Sequence, residues 1–336
     1  MTKIIPAKAL HQLDIDHPRY QEVDRQLFTQ LAMGAPGSVV LLVGPTRVGK
    51  SRLVQSVARR LVQSPISDDE LPVILVEAAT THGGRFSMKH FTMRALQALR
   101  HPMYGELRGI IRQRESETEL RIKLEQAIIY RKTRYLFIDE AHHLLRTNRG
   151  AQASDILDSL KCLANTTDII LVLAGGYELF AAGLSSAHLN GRMRVIEFGR
   201  YRPTGQDELN FLGILKGLDP HLPWKSGSSL IIHSSYMTAG TLGCLGLLLG
   251  WVNAAMCEMH SRGERALRLE HFMETRYEEQ IALIAREIAE GESAMRKLPT
   301  PPSETKNGAD SSCRSKEQRR PFQRKPKRDP VAPVRR

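Results

Sequence analysis

Eight consecutive residues follow the spacing G-x-x-x-x-G-K-S: Gly44, Pro45, Thr46, Arg47, Val48, Gly49, Lys50 and Ser51. An apolar run at 39–43 precedes them and an amphipathic helical pattern at 51–63 follows, which argues against a chance match in a glycine-rich turn. Glycines let backbone N–H groups surround a phosphate, and the helix N-terminus adds partial positive charge. We expect Lys50 to reach the β- and γ-phosphates and the Ser51 hydroxyl to ligate Mg²⁺. The segment therefore predicts a binding site for a nucleoside triphosphate, with ATP and Mg²⁺ as the ligands.

A second motif supplies two adjacent carboxylates. The apolar run Tyr135–Ile138 ends in Asp139 and Glu140. We expect Asp139 to hold the hydration shell of Mg²⁺ and Glu140 to act as general base toward the attacking water. Many strands end in acidic residues, so the pair gains its meaning from its place after the phosphate-binding motif. One further strand between the two motif strands would be typical of the ATPase branch that contains the AAA+ proteins.

The next apolar run, Ile169–Leu173, should lie beside the acidic strand. AAA+ proteins usually place a polar residue at its end to position the attacking water, but this chain has Gly175 and Gly176, followed by Tyr177. Two interpretations stay open: the polar group comes from elsewhere, or ATP hydrolysis is slow.

The segment Asn190-Gly191-Arg192-Met193-Arg194 precedes the last predicted strand. An arginine in this position commonly reaches the γ-phosphate bound by a neighbouring subunit, because its planar guanidinium stabilises charge spread over phosphoryl oxygens. We favour Arg192 over Arg194 for this role. The alternative is an ordinary surface arginine on a loop.

Short apolar runs that alternate with helical patterns must position these residues. The alternation predicts an α/β fold, a P-loop AAA+ parallel sheet with helices on both faces, followed by a small α-helical lid domain and a disordered basic tail. Predicted strands lie at 39–43, 73–76, 135–138, 169–173 and 194–198. Predicted helices lie at 51–63, 88–99, 118–131, 153–165, 205–217, 227–237, 241–260 and 269–290.

Four segments make up the predicted domain organisation. Residues 1–37 form a lead-in segment, whose amphipathic part either covers the adenine ring or is a plain helix. Residues 38–203 form the ATPase domain, 204–292 the lid and 293–336 the tail. The uncharged stretch 226–257 is interrupted by serines and glycines, so we expect a buried helix and no membrane span.

Charge is unevenly distributed along the chain. The net charge is +12, and residues 296–336 hold thirteen Lys and Arg against four acidic residues. Such a tail suits phosphate backbones or an acidic partner, and a solubilising tail is the alternative. Four cysteines without metal-ligand spacing, and an N-terminus without a signal-peptide pattern, favour a cytoplasmic protein.

A second basic region lies between residues 85 and 114, where seven Lys and Arg face a single acidic residue. Its first members, Arg85, Lys89 and Arg94, are candidates for contacts with the DNA backbone, since AAA+ proteins of the initiator type often carry DNA-contacting insertions here. A solvated helix face is the equal alternative. No base-reading motif accompanies the charge, so any binding would be largely independent of sequence.

Taken together, these segments resemble the TniB/TnsC-type AAA+ ATPases of bacterial transposons over roughly residues 15–290. The arginine-bearing NGRMR segment and the G-T-x-G-x-L helix start at 240–245 are the more specific features. The chain departs from the family pattern at Gly175-Gly176, where relatives tend to have Gly-Thr, and in lacking a second-sensor arginine near Thr241.

The resemblance implies an ATP-dependent DNA-binding transposition regulator. Such proteins form rings or filaments around double-stranded DNA, recruit a DDE-type transposase, in some cases with a target-selection protein, and disassemble on hydrolysis. By position, Lys50 and Ser51 contact phosphate and Mg²⁺, Asp139 and Glu140 are the acidic pair, and Arg192 is the finger. We expect a homo-oligomer in a bacterial cytoplasm, nucleoid-associated when on DNA. Two alternatives stay open: a helicase loader or replication initiator-like ATPase, and a nucleotide-locked DNA scaffold with little hydrolysis.

Overall fold

A computed structural model describes residues 17–296 except 63–66, 68, 82–83, 105–114, 147–152 and 186–192. The described residues belong to one compact unit, residues 1–297. The predicted tail from residue 297 onward lies outside the described residues.

Five strands form one sheet: β1 (Val39–Val43), β2 (Val73–Glu77), β3 (Tyr135–Asp139), β4 (Ile170–Gly175) and β5 (Met193–Glu197). Their order across the sheet is β2-β3-β4-β1-β5, and all neighbours pair in parallel. The predicted parallel sheet is thus confirmed, with small shifts at the strand ends. Strand β4 separates the P-loop strand β1 from the acidic strand β3, which is the arrangement that the sequence predicts.

The α-helices of the described residues are α1 (Pro18–Ala32), α2 (Lys50–Leu61), α3 (Met88–Ala98), α4 (Glu117–Tyr130), α5 (Ala153–Thr167), α6 (Tyr177–Ser185), α7 (Gln206–Leu218), α8 (Ser234–Thr241), α9 (Leu245–Ser261), α10 (Leu269–Glu274) and α11 (Glu278–Arg296). The sequence predicts α2 to α5 and α7 to within a few residues at each end.

The central strands β1, β3 and β4 are buried on both faces, and since successive side chains of a strand point to opposite sides, each of these strands contributes to two cores. In β1, Leu41 belongs to the apolar core under α3 to α6, whereas Leu42 belongs to the core under α1 and α2. All five residues of β1 are buried, which explains why the run is continuously apolar rather than alternating.

Helices α7 to α10 surround a third apolar core, centred on the buried side chains of Phe211, Trp251 and Phe272. The Trp251 indole N–H donates to the carbonyl of Phe272 at 3.0 Å. Among the described residues, no single helix is long and apolar enough to cross a membrane; α8 and α9 pass that test only as a pair bent by 112°.

The predicted helix at 227–237 is wrong in its first half. Asp219 accepts a hydrogen bond from the Leu230 N–H at 2.7 Å, and Ser229 accepts one from the Ile232 N–H at 3.2 Å. These side chains compete with a helical ladder, so the helix begins only at Ser234.

Two further helix predictions change at their ends. The predicted helix at 241–260 begins at Leu245, because Leu242 and Gly243 have φ values of 52° and 72° and end α8 in the left-handed region. The predicted helix at 269–290 is two helices, α10 and α11, and α11 continues to Arg296. Its last turn crosses the predicted lid boundary at residue 292, and the domain limits themselves stay predictions.

Candidate nucleotide-binding site

The phosphate-binding loop leaves β1 and turns into α2 at the carboxyl edge of the sheet, where parallel α/β proteins bind ligands. Gly44 packs so closely on the chain after β5 that a Cβ there would lie 2.1 Å from the Phe198 carbonyl oxygen. Gly49 has a φ of 113° and directly precedes the first helical residue, Lys50. Glycine is required at both positions, at the first by close approach and at the second by conformation.

Lys50 lies at the centre of this loop. Its Nζ donates to the carbonyl oxygens of Gly44 at 2.9 Å and Pro45 at 2.7 Å. Burial lowers the pKa of the Lys50 ammonium group, and the carboxylates of Glu140 and Asp139 oppose that shift. The ammonium group thus lies at the place where phosphate oxygens would exchange for the two carbonyls.

Asp139 and Ser51 meet in front of the loop. The Ser51 hydroxyl is hydrogen-bonded to the Asp139 carboxylate, and burial nevertheless raises the pKa of that carboxyl. A hydroxyl and a carboxylate oxygen are the donors that Mg²⁺ takes beside phosphates and water, so these two residues fit the ion. The described residues contain no group of three or more His, Cys, Asp or Glu side chains that could hold a metal.

Glu140 has an unusual backbone, with φ 51° and ψ 35° in the left-handed region. Its N–H donates to Asp139 Oδ1 at 2.9 Å, and its Oε2 lies 3.1 Å from His142 Nδ1. The hydrogen bond from His142 lowers the pKa of the Glu140 carboxyl, against the effect of burial. His142 thus fixes one carboxylate oxygen and leaves the other for a water molecule.

The end of β4 forms the neighbouring wall. Gly175 is confined, since a Cβ there would lie 3.0 Å from the His142 backbone nitrogen. The Tyr177 hydroxyl donates to Glu197 Oε1 at 2.9 Å, and burial raises the pKa of that phenol. Tyr177 therefore links the carboxyl ends of β4 and β5 across the P-loop strand.

The lid contacts the loop directly through the start of α9. The Gly246 N–H donates to the Arg47 carbonyl at 2.8 Å, and a Cβ at Gly246 would lie 2.4 Å from that oxygen. The turn before α9 is anchored as well, because the Tyr201 N–H donates to the Gly243 carbonyl at 3.0 Å. Beside Gly246, burial raises the pKa of the Cys244 thiol to about 12.

Helix α11 supplies the outer wall of the cleft through Ile284, Glu287 and Ile288, opposite the P-loop. It can approach because Gly291 lacks a side chain: a Cβ there would lie 2.3 Å from the Tyr177 ring. Next to Gly291, Glu292 forms an ion pair with Arg200 at 2.8 Å, which also holds α11 in place. The cleft so formed has a volume of about 540 Å³.

The structure brings together most of the predicted nucleotide-site residues. Seven of the eight loop residues and Glu140 line the cleft, whereas the Val48 side chain is buried in the core under α1 and α2. Arg192 lies outside the described residues. Of the lead-in segment, the described residues of α1 pack on α2 and β5 and do not line the cleft.

The three candidates for DNA contact lie on and before α3. Arg85 is exposed. Lys89 Nζ donates to the Glu115 carbonyl at 2.6 Å, and Arg94 lies 3.5 Å from the Glu77 carboxylate. The basic residues that follow at 108, 112 and 114 lie outside the described residues.

Sequence reasoning missed His142, Glu178 and the whole of α11 as parts of the site. His142 lies two residues after Glu140, the predicted general base, which is a signal that could have been used. The position of α11, more than a hundred residues after Glu140 in the chain, depends on tertiary packing alone.

The comparisons with known proteins agree with this geometry. The family AAA_22, described as AAA domain, matches residues 35–182. The structure of the Aeropyrum pernix ORC1 protein in complex with DNA is similar with a TM-score of 0.59 and 18% identity, over 82% of this chain and 68% of that one. Cdc6p from Pyrobaculum aerophilum gives 0.52 and 16%, over 82% and 69%.

A Walker-type ATPase of Pyrococcus abyssi gives a TM-score of 0.51 and 17% identity, over 86% of this chain and 80% of that one. No curated protein sequence matches the chain significantly. At these identities the structural likeness establishes the fold alone. The chain therefore has the fold of the P-loop AAA+ ATPases, with a match to the AAA domain model at residues 35–182 and structural similarity to the Orc1/Cdc6 ATPases.

Proposed function

We propose that this chain is an ATPase that oligomerises on double-stranded DNA and regulates transposition. It would do so by recruiting or activating a DDE-type transposase, with or without a target-selection protein. The observation that carries the ATPase part is the single cleft that holds Lys50, Ser51 and Glu140, with Asp139 bonded to Ser51. The residue pattern shared with the TniB/TnsC-type proteins supports the transposition part.

In this proposal each residue of the site has its own role in ATP binding or hydrolysis. Lys50 exchanges its carbonyl partners for phosphate oxygens, and the loop N–H groups hold the phosphates. Ser51 and Asp139 would hold Mg²⁺, which supplies positive charge to the phosphates when bound. Glu140, oriented by His142, accepts a proton from the attacking water.

Oligomerisation follows from placing Arg192 of one subunit at the γ-phosphate of the next. ATP then bridges two subunits, and loss of the γ-phosphate removes the bridge. Assembly and release of the DNA-bound oligomer are thereby coupled to the nucleotide state.

Contact with DNA is assigned to the basic surface that begins with Arg85, Lys89 and Arg94. The pair between Arg94 and Glu77 leaves the two side chains 30% and 57% exposed. Such an exposed pair contributes about 0–1 kcal/mol, so Arg94 can exchange its partner for a DNA phosphate at little cost.

A replication initiator or helicase loader is the second candidate. The observation that favours it is the fold similarity to an ORC1 protein whose structure was solved in complex with DNA. Affinity purification from the native cell separates the two: capture of a DDE transposase supports the transposition regulator, and capture of a replicative helicase supports the loader.

Fluorescence anisotropy of a labelled duplex tests the shared core of both candidates. We expect the full chain to bind DNA tightly with a non-hydrolysable ATP analogue, and weakly with ADP or without nucleotide. Lys50→Ala should lose the effect of the analogue. Equal DNA affinity in all nucleotide states would contradict the proposal.

A further inference from the structure

The end of β4 lacks a polar side chain of its own for the attacking water. Gly175 is blocked by the backbone nitrogen of His142, as described above. A side chain at Gly176 would meet a different group. A Cβ there would lie 2.3 Å from Oε2 and 2.7 Å from Oε1 of Glu178. The Glu178 carboxylate therefore occupies the space that a side chain at Gly176 would fill.

Glu178 belongs to the nucleotide cleft. It lies in the first turn of α6, is exposed, and lines the same cleft as Lys50 and Glu140. Burial lowers the pKa of the Lys50 ammonium group, and the negative charge of Glu178 opposes that shift, less strongly than Glu140 and Asp139 do. Three carboxylates thus act on one ammonium group, and Glu178 approaches it from the β4 side.

Two other polar side chains of the site make different contacts. The Tyr177 hydroxyl donates to Glu197, and its ring is buried against Gly291 of α11. Glu287 lines the cleft from α11, opposite the loop. Among the described residues that line the cleft, Glu178 is therefore the carboxylate that follows the end of β4, in the same cleft as Glu140.

We propose that Glu178 positions the attacking water for ATP hydrolysis, in the role that a polar residue at the end of this strand would otherwise have. The assignment rests on the proposed ATPase function. One O–H of the water points to Glu140, which takes that proton, and the other O–H donates to Glu178. The water oxygen bonds to the γ-phosphorus while the bond from that phosphorus to the β,γ-bridging oxygen breaks, and ADP leaves with that oxygen.

The experiment compares Glu178→Ala and Glu178→Gln with Glu208→Ala, which removes an exposed carboxylate from the first turn of α7, outside the residues that line the cleft. Steady-state phosphate release with duplex DNA present gives kcat and KM, and a fluorescent ATP analogue gives affinity. Because Glu178 is exposed, we expect each variant to fold, and a thermal melt checks this.

We expect Glu178→Ala to lower kcat roughly 10- to 100-fold, the size of effect that misplacing a reactant has. Affinity for the ATP analogue should stay at the wild-type value or rise, since a charge near the phosphates is gone. Glu178→Gln should retain more activity than Glu178→Ala, because its amide oxygen still accepts a hydrogen bond. Glu208→Ala should keep the wild-type kcat.

Two outcomes would overturn the assignment while the ATPase function stands: a wild-type kcat in Glu178→Ala, or an equal loss in Glu208→Ala, which would indicate a general charge effect. A wild-type chain that binds ATP but releases no phosphate would contradict hydrolysis itself. The Glu178 assignment would then fall with it, and the nucleotide-locked scaffold would be supported.

Discussion

Glu140 combines three features that suit a general base. Its backbone is left-handed, its N–H is bonded to Asp139, and one carboxylate oxygen is held by His142. Left-handed conformations are strained for side chains larger than glycine, and such strain is concentrated at functional sites. The geometry therefore holds one oxygen of Glu140 in place before ATP arrives.

Glu140→Gln tests the base directly. An amide cannot accept the proton, so we expect single-turnover phosphate release to fall at least ~100-fold while ATP affinity is retained. Glu77→Gln makes the same chemical change at the end of β2 and should leave the rate unchanged. An unaltered rate in Glu140→Gln would refute the assignment.

His17 gives the fold a predictable pH dependence. Burial, with smaller effects of Arg19 and Arg52, lowers the pKa of its imidazole to about 4. The unfolded chain titrates near the ordinary value of about 6.5. Between these values the unfolded state binds more protons, so the free energy of unfolding should fall by roughly 3 kcal/mol as pH drops from about 6.5 to 4.

Urea unfolding of the wild type and His17→Gln measures this contribution. Glutamine can still accept hydrogen bonds from Tyr20 and Tyr201 but does not titrate. We expect the stability difference between the two proteins to shrink as pH falls through the window. A constant difference would show that His17 does not carry this pH dependence.

The sequence predicts Lys50, Ser51, Asp139 and Glu140 because each follows from a local motif whose chemistry requires that residue type. Glu178 could not be predicted, since its role depends on how its side chain folds back onto Gly176. A residue's role can be inferred from the sequence when it depends on a local motif. It cannot be inferred when it depends on tertiary contacts.

At the scale of elements, α11 is the least expected part of the site. It packs on α6 and lines the cleft although it is the last described helix of the chain. The contact depends on Gly291, which sits against the Tyr177 ring.

Gly291→Ala and Gly250→Ala form a matched pair for testing this contact, because both glycines lie inside helices. At Gly250 a Cβ meets nothing within 4 Å, so alanine should stabilise the fold by about 0.5–1 kcal/mol. At Gly291 the overlap with Tyr177 should destabilise it by about 1–3 kcal/mol and weaken ATP binding. Thermal melts and ATP titrations measure both effects, and equal behaviour of the two variants would show that α11 does not pack as described.

Strands proved easier to predict than lid helices for a physical reason. The central strands β1, β3 and β4 are buried apolar runs, and the sheet confirms them together with the less buried edge strands β2 and β5. In the lid, the side chains of Asp219 and Ser229 bond the backbone locally, and a helix predicted from periodicity alone begins too early.

At the scale of the whole molecule, positive charge is concentrated at the C-terminal end of the chain. Deleting 297–336 removes twelve Lys and Arg with four acidic residues and leaves Arg296 paired with Glu292. We expect weaker DNA or partner binding, a shallower salt dependence and unchanged ATP affinity. Wild-type affinities for DNA and partner would make the tail a solubilising segment.

Nucleotide-dependent assembly on DNA is the central claim, and negative-stain electron microscopy tests it most directly. The full chain would be imaged with a non-hydrolysable ATP analogue, with and without duplex DNA, beside Lys50→Ala. We predict rings or filaments that require both the analogue and DNA, and that are absent in Lys50→Ala. A wild-type protein that binds the analogue but stays monomeric on DNA would contradict the claim, and would leave Arg192 without a role at a neighbouring subunit.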